Sequence, residues 1–270
     1  VYYLIFVINP YDLKEILFNI SKDIILPSFG NLEKNQISYK NGKDIVTDID
    51  VSVEKELNNI LPKLVQNSNF IGEESYAKNN NILKYYLSKE YCWTVDPIDG
   101  TSNFAKSKDR FAVMVALTKS TEIIQSFIYK PLNEDFMYAD HSGTYLNNNK
   151  INLNKRINIE NAIGSISTKY WDEIKNEKLI SIKNKFANIN SYGSIGCEYF
   201  DIALGKRDFA LLSRLYPWDH IPGVFIVRQS GGHDCHFDKK EYKFYKDSRN
   251  LIVSNSKSLN YDILNLIEGG

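Results

Sequence analysis

One short stretch, residues 91–104, constrains the fold of this chain more than any other segment. It reads YCWTVDPIDGTSNF, and the apolar residues that alternate at its start predict a strand. Proline and glycine mark a tight turn after that strand, where Asp96, Asp99, Gly100 and Thr101 would lie together. Carboxylates at the end of a strand do not build a hydrophobic core, so this stretch indicates a functional site.

The backbone around Gly100 indicates what such a site could bind. Glycine lets a ligand approach the main chain closely, because it has no Cβ. A helix that begins after Thr101 would direct free N–H groups and the positive end of its dipole to the same place. Carboxylates beside an anion-binding helix end are compatible with a cation that lies between them and a phosphate. The alternative is an ordinary strand–turn–helix junction in which Asp99 caps the helix.

Two other acidic positions precede the central stretch. A helical pattern follows Asp50, which therefore falls at a helix start and is alternatively only a cap. The short apolar strand in residues 70–75 ends in Glu73 and Glu74, which repel each other unless a cation or separate partners hold them. Taken alone, the glutamates are unremarkable surface residues. Together, four side chains could line one oxygen-rich cavity suited to a hard divalent ion: Asp50, Glu73, Asp96 and Asp99.

A similar pattern returns in residues 217–220, whose sequence is Pro-Trp-Asp-His. The segment follows a predicted strand at 209–213 and opens an apolar helix, so Asp219 lies at another helix start. Trp218 could exclude solvent from that carboxylate. A helix cap is again the alternative for Asp219, and His220 is interpreted as a hydrogen-bonded neighbour rather than a ligand.

Composition excludes some classes of function and suggests a compartment. The 270 residues include 33 Lys and Arg against 33 Asp and Glu, so no overall field attracts the chain to nucleic acid or an anionic membrane. Three scattered cysteines indicate neither a disulfide framework nor a zinc ribbon. No apolar run approaches the ~18 residues of a spanning helix, and Val1–Ile8 lacks a basic leading segment and a cleavage site. We expect a soluble cytoplasmic protein with neither nucleic acid nor a membrane as partner.

The succession of elements predicts two lobes. An amphipathic helix is predicted from Tyr11 to near Pro27. Antiparallel strands are predicted at 111–118, 123–129 and 135–139, with hairpins near 143 and 147–150. Later elements are predicted as buried strands at 162–167 and before 191, and as helices at 197–205 and 222–230. We therefore expect an N-terminal α+β lobe, 1–143, with most acidic candidates, and a C-terminal α/β lobe, 144–270, that supplies Asp219.

Three motifs, in their order and spacing, resemble the inositol monophosphatase family of magnesium-dependent phosphomonoesterases. They are Gly72-Glu73-Glu74-Ser75, Asp96-Pro97-Ile98-Asp99-Gly100-Thr101 and Trp218-Asp219. The likeness extends from Lys40 to the C-terminal helix, with support from residues 44–50 and Gly231-Gly232. It implies an α+β fold, the layered αβαβα sandwich of the inositol monophosphatase and fructose-1,6-bisphosphatase type. Such proteins are usually homodimers with the site between the lobes.

The resemblance also implies a ligand set for two to three Mg²⁺ ions. Glu73, Asp96 and the backbone carbonyl of Ile98 would hold the first ion. Asp96, Asp99 and Asp219 would hold the second, so Asp96 would bridge the two. Glu73 would also face a weaker third ion.

Catalysis in the manner of this family would use Glu73, Thr101 and Asp50. Thr101 with Asp50 would orient the water bound to the first ion, and the N–H groups of Gly100 and Thr101 would hold the phosphate. One ion would lower the pKa of that water and another would stabilise the leaving oxygen, so no phosphoenzyme is needed. The Asp-x-Asp-Gly-Thr motif of haloacid-dehalogenase phosphatases does not match, because the two aspartates here stand three positions apart.

The substrate rim departs from the family pattern. Many members have a glutamate shortly before the Trp-Asp pair that binds substrate hydroxyls, whereas residues 212–215 here are Leu-Ser-Arg-Leu. Arg214 could instead meet a second phosphate or carboxylate, or lie in solvent. Lys40, Glu198 and Tyr216 are further rim candidates.

The expected activity is Mg²⁺-dependent hydrolysis of a small polyol or sugar monophosphate, with inositol 1-phosphate as the default. Histidinol phosphate, fructose 1,6-bisphosphate and 3′-phosphoadenosine 5′-phosphate are alternatives, because the family shares its metal centre and varies its rim. Ile98 and the continuation Ser-Asn-Phe after Thr101 favour the monophosphatase branch over the nucleotidase branch. An alternative of another class is a regulatory binding protein with this fold, which the complete set of carboxylates disfavours.

Overall fold

The computed structural model describes residues 7–40, 44–167, 169–246 and 249–269. The turn predicted directly after Lys40 and most of the apolar start, Val1–Ile8, lie outside these residues. Within the described part of the chain, no helix is both long and apolar enough to cross a bilayer.

Helices and strands alternate along most of the chain. The α-helices are α1 (Pro10–Ile20), α2 (Leu26–Ser28), α3 (Asp48–Leu64), α4 (Glu73–Lys78), α5 (Thr101–Phe104), α6 (Glu173–Ser181), α7 (Ile195–Ala203), α8 (Pro217–Ser230) and α9 (Lys257–Gly269). The strands are β1 (Ile37–Lys40), β2 (Asp44–Thr47), β3 (Asn69–Gly72), β4 (Tyr91–Asp99), β5 (Ala112–Lys119), β6 (Glu122–Lys130), β7 (Asp135–Asp140), β8 (Gly143–Leu146), β9 (Asn149–Ile151), β10 (Ile163–Ile166), β11 (Asn188–Ile189), β12 (Phe209–Arg214), β13 (His233–His236) and β14 (Arg249–Ser254). A π-helical turn, Ser21–Ile25, continues α1 into α2, so the helix predicted from Tyr11 to near Pro27 is confirmed.

The larger sheet has seven strands in sequence order, β3-β4-β5-β6-β7-β8-β9. Neighbours from β4 to β9 are antiparallel, as short connections between them require, and β3 pairs with β4 in parallel. The strands predicted at 111–118, 123–129 and 135–139 are confirmed as β5, β6 and β7 to within a residue at each end.

The smaller sheet has five strands in the order β11-β10-β12-β14-β13. Strands β11, β10 and β12 run parallel, whereas β14 and β13 are antiparallel additions. The carboxyl ends of β10 and β12 therefore meet at one edge of the sheet. The strand predicted before Ser191 is present as β11, which has only two residues, but the prediction that it is buried is wrong, because neither residue is fully buried.

Alternation along the strands divides the apolar side chains among three cores. On β5, Val113 and Val115 pack with α1 and α3, whereas Met114 packs with α7 and α8. On β12, Leu212 faces α7 and α8, whereas Leu211 packs with α6 and α9 on the other side. The layers are thus α1 and α3, the seven-stranded sheet, α7 and α8, the five-stranded sheet, and α6 and α9. The predicted α+β class and αβαβα sandwich are confirmed.

Helix α8 lies in the middle layer and is buried on nearly all sides, because a sheet covers each of its faces. It approaches α7 closely at Gly223, where a Cβ would lie 1.9 Å from Cδ2 of Tyr199. This packing fixes the position of the first turn of α8, which carries Asp219.

A hairpin of β1 and β2, here called the two-stranded arm, pairs Ile37–Lys40 with Asp44–Thr47 outside the two large sheets. The division into lobes 1–143 and 144–270 stays a prediction. By sheet membership, the chain leaves the larger sheet only after Ile151, because β8 and β9 are its last strands.

Candidate active site

One cavity of about 480 Å³ contains nearly all the residues that the sequence singled out. Those that line it are Lys40, Glu73, Asp96, Ile98, Asp99, Gly100, Thr101, Glu198, Arg214, Tyr216 and Asp219. Asp50 is not on the cavity wall, but it contacts Thr101. The structure therefore brings every predicted site residue into one place, while the role of each stays a prediction.

Strand β4 carries Asp96 and Asp99 into the cavity by an irregularity in its pairing. The register with β5 shifts between these two residues, and β4 continues to Asp99, further than the predicted strand. The N–H of Ile98 donates to Oδ1 of Asp96 at 3.1 Å. Asp96 is 3% exposed and Asp99 is 7% exposed, so neither carboxylate is well solvated.

Gly100 ends this segment in a conformation that only glycine adopts readily. Its φ is +89°, and a Cβ there would lie 2.8 Å from the carbonyl oxygen of Arg110 and 2.9 Å from Cβ of Ser194. The helix predicted beyond it is confirmed but has only four residues, Thr101–Phe104. So short a helix has a weak dipole, and any anion binding here would depend on individual N–H groups.

Asp50 is the third residue of α3, where it forms a capping box with the N-cap, Thr47, and it also contacts Thr101. The N–H of Thr47 donates to Oδ2 of Asp50 at 2.8 Å, and the Thr47 hydroxyl donates to the same oxygen. Oγ1 of Thr101 lies 3.0 Å from Oδ1 of Asp50 and 2.9 Å from the carbonyl oxygen of Ile98. The predicted position of Asp50 at a helix start is confirmed, but the N-cap is Thr47 rather than Asp50, so the alternative of a simple cap at Asp50 is wrong.

Glu73 is the first residue of α4, whose start is held by a residue of another helix. Glu54 on α3 accepts hydrogen bonds from the N–H groups of Glu74 and Ser75, both at 2.7 Å, and from the Ser75 hydroxyl. Gly72 leaves room for this contact, because a Cβ there would lie 2.3 Å from Cδ of Glu54. Glu54 therefore caps α4 from outside and fixes the backbone of Glu73.

Lys40 on the two-stranded arm partly neutralises these glutamates. Its ammonium donates to Oε1 of Glu73 at 3.1 Å and to Oε1 of Glu74. The expectation that the adjacent glutamates need a cation or separate partners is met by Lys40 for both. The predicted rim residue thus pairs with a predicted magnesium ligand.

Asp99 is held by the start of α7, a contact that the sequence did not indicate. The Ser194 hydroxyl and the N–H of Gly196 donate to Oδ2, the latter at 2.8 Å, and the N–H of Ile195 donates to Oδ1 at 3.0 Å. A Cβ at Gly196 would lie 3.0 Å from Oδ2 of Asp99 and 2.8 Å from Sδ of Met114, so glycine permits this approach. A carboxylate can accept about four hydrogen bonds, so Asp99 keeps capacity for one more partner.

Helix α8 places Asp219 at the cavity beside a neutral histidine. Within the described residues, Asp219 accepts no hydrogen bond and forms no ion pair. Both ring nitrogens of His220 are engaged, since Nδ1 lies 2.8 Å from the Tyr199 hydroxyl and Nε2 lies 2.9 Å from the carbonyl oxygen of Arg214. Burial lowers the pKa of His220 to about 4, so Nε2–H donates to the carbonyl and Nδ1 accepts. The prediction that His220 is a hydrogen-bonded neighbour is confirmed.

The clustered carboxylates have unusually high proton affinity. Burial, reinforced by the charges of Glu73 and Asp99, raises the pKa of Asp96 and of Asp219 well above the ordinary range. Burial also raises the pKa of Asp99 to about 6 and that of Asp50 to about 7. The site therefore favours either protons or a cation among these oxygens.

Glu198 lines the cavity, but its carboxylate is bound to the protein. It is 3% exposed and accepts hydrogen bonds from the Ser165 hydroxyl, from the Ser191 hydroxyl at 3.0 Å and from the N–H of Tyr192 at 2.8 Å. Glu198 therefore holds the loop that precedes α7, and through it the residues that contact Asp99.

Arg214, the last residue of β12, contacts two aromatic rings. Its guanidinium carbon is 4.1 Å from the ring centre of Tyr170 and 4.2 Å from that of Tyr216. Tyr216 in turn stacks on Trp218, with ring centres 4.9 Å apart. Nη1 of Arg214 lies 3.8 Å from Oδ2 of Asp44 on the two-stranded arm.

Comparison with known proteins identifies the family of this chain. The family model described as the inositol monophosphatase family matches residues 13–269. The chain belongs to the inositol monophosphatase family. Inositol monophosphatases are phosphoric monoester hydrolases, so the predictions of the family and of an enzyme of this class are confirmed.

Individual relatives show how broad the inositol monophosphatase family is. A Thermotoga maritima protein named fructose-1,6-bisphosphatase/inositol-1-monophosphatase is 27% identical over 223 residues, which are 82% of this chain and 82% of that protein. The extragenic suppressor protein suhB of Bartonella henselae has a TM-score of 0.83 and 22% identity, over 97% of this chain and 100% of its own. An IMPase/NADP phosphatase solved with NADP and Ca²⁺ has a TM-score of 0.81 and 18% identity, over 96% of each chain. The structural likenesses show the shared fold.

The residues that sequence reasoning missed are those that support the carboxylates. Ser194 had a usable signal, because a serine before a predicted helix is a typical N-cap, but nothing connected it to Asp99. Glu54 gave no signal, because an acidic residue inside a predicted amphipathic helix is normally solvated. Asp44 and Lys169, which also line the cavity, were not singled out.

Proposed function

We propose that this chain is a Mg²⁺-dependent phosphomonoesterase that hydrolyses a small polyol or sugar monophosphate by direct attack of water. The observation that carries the proposal is the group of buried or half-buried carboxylates that faces one cavity beside the Gly100–Thr101 backbone. Two relatives support it, because one is named for fructose 1,6-bisphosphate and inositol 1-phosphate hydrolysis and another was solved with NADP and Ca²⁺.

The donor atoms fit a hard divalent cation. All are carboxylate or carbonyl oxygens, the ligands that Mg²⁺ prefers, and Asp219 has no protein partner within the described residues. In the described ranges, no three acidic, histidine or cysteine side chains converge tightly enough to form a finished coordination shell. We propose that the cation draws them together: Glu73, Asp96 and the Ile98 carbonyl for one ion, and Asp96, Asp99 and Asp219 for another. Bound there, Mg²⁺ would supply an acidified water and stabilise the charge on the phosphoryl group and the leaving oxygen.

The remaining steps fall to groups of the chain itself. Thr101 Oγ1–H donates to Asp50 or to the Ile98 carbonyl, which leaves its oxygen lone pairs to accept a proton of the attacking water. Asp50, whose pKa is raised to about 7 by burial, can hold that proton at Oδ1. We propose that the N–H groups of Gly100 and Thr101, which both line the cavity, donate to phosphate oxygens. No step requires a covalent aspartyl phosphate.

A substrate panel tests this proposal most directly. Phosphate release would be measured with Mg²⁺ from inositol 1-phosphate, histidinol phosphate, fructose 1,6-bisphosphate and 3′-phosphoadenosine 5′-phosphate. We expect hydrolysis of at least one compound, with inositol 1-phosphate as the default, and its loss in chelator and in Asp96→Asn. A biological role that survives Asp96→Asn, when phosphatase activity does not, would instead support the regulatory binding protein. A trapped phosphorylated Asp96 would contradict direct attack by water.

We further propose a homodimer in the cytoplasm, as the resemblance and the composition imply. Light scattering on the purified chain would give its mass against the 31.2 kDa of one protomer. A monomer at all concentrations would contradict the dimer.

A further inference from the structure

One part of the cavity lining carries positive charge at the edge where β10 and β12 end. Lys169 follows β10, and Arg214 is the last residue of β12, which runs parallel to it. Both line the cavity. The carboxyl ends of neighbouring parallel strands are a common place for ligands. The two cations are therefore positioned to meet a bound molecule rather than only bulk solvent.

The guanidinium of Arg214 is fixed in place but has few partners. The rings of Tyr170 and Tyr216 contact it, with their centres 4.1 and 4.2 Å from its carbon, and these contacts leave its N–H groups free to donate in the guanidinium plane. His220 holds the backbone carbonyl of Arg214 at 2.9 Å. In the described part of the chain, the guanidinium donates no hydrogen bond, and its ion pair with Asp44 is long, at 3.8 Å.

The neighbouring acceptors do not satisfy these cations. Glu198 already accepts three hydrogen bonds from protein groups. Asp44 belongs to the two-stranded arm, at a distance from Nη1 that exceeds a direct hydrogen bond. Among the described residues Lys169 has no ion-pair partner, and the nearby lining residue Leu212 is apolar. A neutral polyol could pair with the hydroxyls of Ser165, Ser167 and Ser191, which also line the cavity, but it would leave the positive charges of Arg214 and Lys169 without a counter-charge.

We propose that the substrate carries, besides the phosphate that is cleaved, a second oxyanion that pairs with Arg214, with Lys169 nearby. This inference rests on the proposed function, and within it favours a substrate with a second phosphate or a carboxylate over the default, inositol 1-phosphate. Arg214 offers the planar donor pair that suits a carboxylate or a phosphate equally. A competing explanation is that Arg214 has a purely structural role and only holds the two-stranded arm in place through its ion pair with Asp44. The two explanations differ in the expected effect of changing Asp44.

The test compares three phosphorylated six-carbon compounds that differ only at carbon 1. Glucitol 6-phosphate has a neutral hydroxymethyl end, 6-phosphogluconate has a carboxylate there, and glucitol 1,6-bisphosphate has a second phosphate. The readouts are kcat/KM for phosphate release and, by calorimetry, the affinity of each compound. We expect the wild-type chain to prefer one or both doubly anionic compounds over glucitol 6-phosphate by about 10- to 100-fold, the effect of a charged hydrogen bond. Which of the two is preferred identifies the oxyanion.

Two substitutions separate the explanations, because one should decrease and the other should increase the preference for the doubly anionic compounds. The ratio to compare is kcat/KM for the preferred doubly anionic compound divided by kcat/KM for glucitol 6-phosphate. Arg214→Gln should lower this ratio by about 10- to 100-fold. Arg214→Lys should lower it by less, because lysine keeps the charge but loses the planar donor pair. Asp44→Asn should raise the same ratio about 2- to 5-fold, because the substitution removes a negative charge that competes for Arg214. Arg156→Gln, an exposed arginine outside the cavity, is the matched control and should leave the ratio unchanged.

Each outcome decides one of the two proposals. A wild-type ratio near one, or a change in the same direction from Arg214→Gln and Asp44→Asn, overturns the oxyanion site and supports a simple fastening contact. If none of the three compounds is hydrolysed but their affinities still show the Arg214-dependent preference, the proposed hydrolase is wrong and the oxyanion site stands. Asp44→Asn is expected to increase the preference for the doubly anionic compounds. A general loss of folding would not produce such an increase.

Discussion

At the scale of single residues, the carboxylates of the cavity differ in how much the protein supports them. Asp99 accepts three hydrogen bonds from the start of α7. Asp96 accepts one, from the N–H of Ile98, and Asp219 accepts none within the described residues. A buried carboxylate with so few partners is costly unless it is protonated or bound to a cation. Asp96 and Asp219 should therefore depend most strongly on a metal ion.

This difference gives a prediction for two matched substitutions. Asp96→Asn should lower kcat/KM by at least about 10³-fold, because the proposed bridge between two ions is lost. Asp50→Asn should cost only about 10- to 100-fold, because Asp50 acts through Thr101 rather than on an ion. Steady-state kinetics with saturating Mg²⁺ would measure both. Equal losses would tell against Asp96 as the bridge.

The sequence was sufficient to name the cavity residues but not their supports. Asp96, Asp99 and Gly100 are contiguous with a strand and a turn, and such local patterns can be read directly. The hydrogen bonds from Ser194 and Gly196 join positions almost a hundred residues from Asp99, and no local pattern encodes that contact. Arg214 was named as a rim residue, but its contacts with two tyrosines required the structure.

At the scale of elements, the site depends on how α4 and α7 begin. Glu54 of α3 caps α4, and Asp99 of β4 accepts the first N–H groups of α7. In both cases, a side chain from another element supplies the acceptor that a free helix start lacks. The helical spacing after Asp50 predicted α3 correctly, yet it could not show that Glu54 would be buried against Gly72.

The cap on α4 can be tested with a pair of glutamates on α3. Glu54→Gln places an NH₂ group where an acceptor is required, and should lower the free energy of unfolding by about 1–3 kcal/mol. It should also weaken Mg²⁺ binding, because the backbone of Glu73 loses its fixed position. Glu56→Gln, on the same helix but without a hydrogen bond to α4, is the control. Denaturant unfolding and Mg²⁺ titration measure the two effects, and an unchanged Mg²⁺ affinity in Glu54→Gln would refute the coupling.

At the scale of the whole molecule, five layers enclose a cluster of negative charge contributed by both halves of the chain. Glu73, Asp96 and Asp99 come from the first half, and Asp219 comes from α8 in the middle layer. The layers were predicted from the family resemblance, and the hairpin predicted at 147–150 is confirmed as the pairing of β8 with β9 at the end of the larger sheet. The short β11 was not predictable, because strand ends depend on pairing partners that are distant in sequence.

The cluster should make the stability of the metal-free protein depend on pH. Burial raises the pKa of Asp99 to about 6 and that of Asp50 to about 7, both above the value of about 4 in an unfolded chain. The folded state thus retains protons that the unfolded state has lost, so stability falls as pH rises from about 4 to 7. In chelator, the midpoint of thermal unfolding should be lower at pH 8 than at pH 5.5.

Magnesium should remove most of this difference, because the cation replaces the protons among the carboxylates. The stabilisation by Mg²⁺ should therefore be larger at pH 8 than at pH 5.5, as measured by calorimetry in parallel buffers. Asp96→Asn, with one charge fewer, should show a smaller shift with pH and with Mg²⁺. A metal-free midpoint that rises steadily between pH 5 and pH 8 would contradict the charge cluster as its cause.

The placement of Asp219 on α8 has a consequence for the order in which this protein acquires its site during synthesis. A ribosome makes the chain from its N-terminus, so every strand of the seven-stranded sheet, including β4 with Asp96 and Asp99, exists before α8 does. Until α7 and α8 have emerged, Asp99 lacks its donors and the carboxylate set lacks its last member. A partly made chain that ends before α8 therefore cannot present the finished cavity, and the last strands and α9, which complete the outer layers, are made only after the last carboxylate.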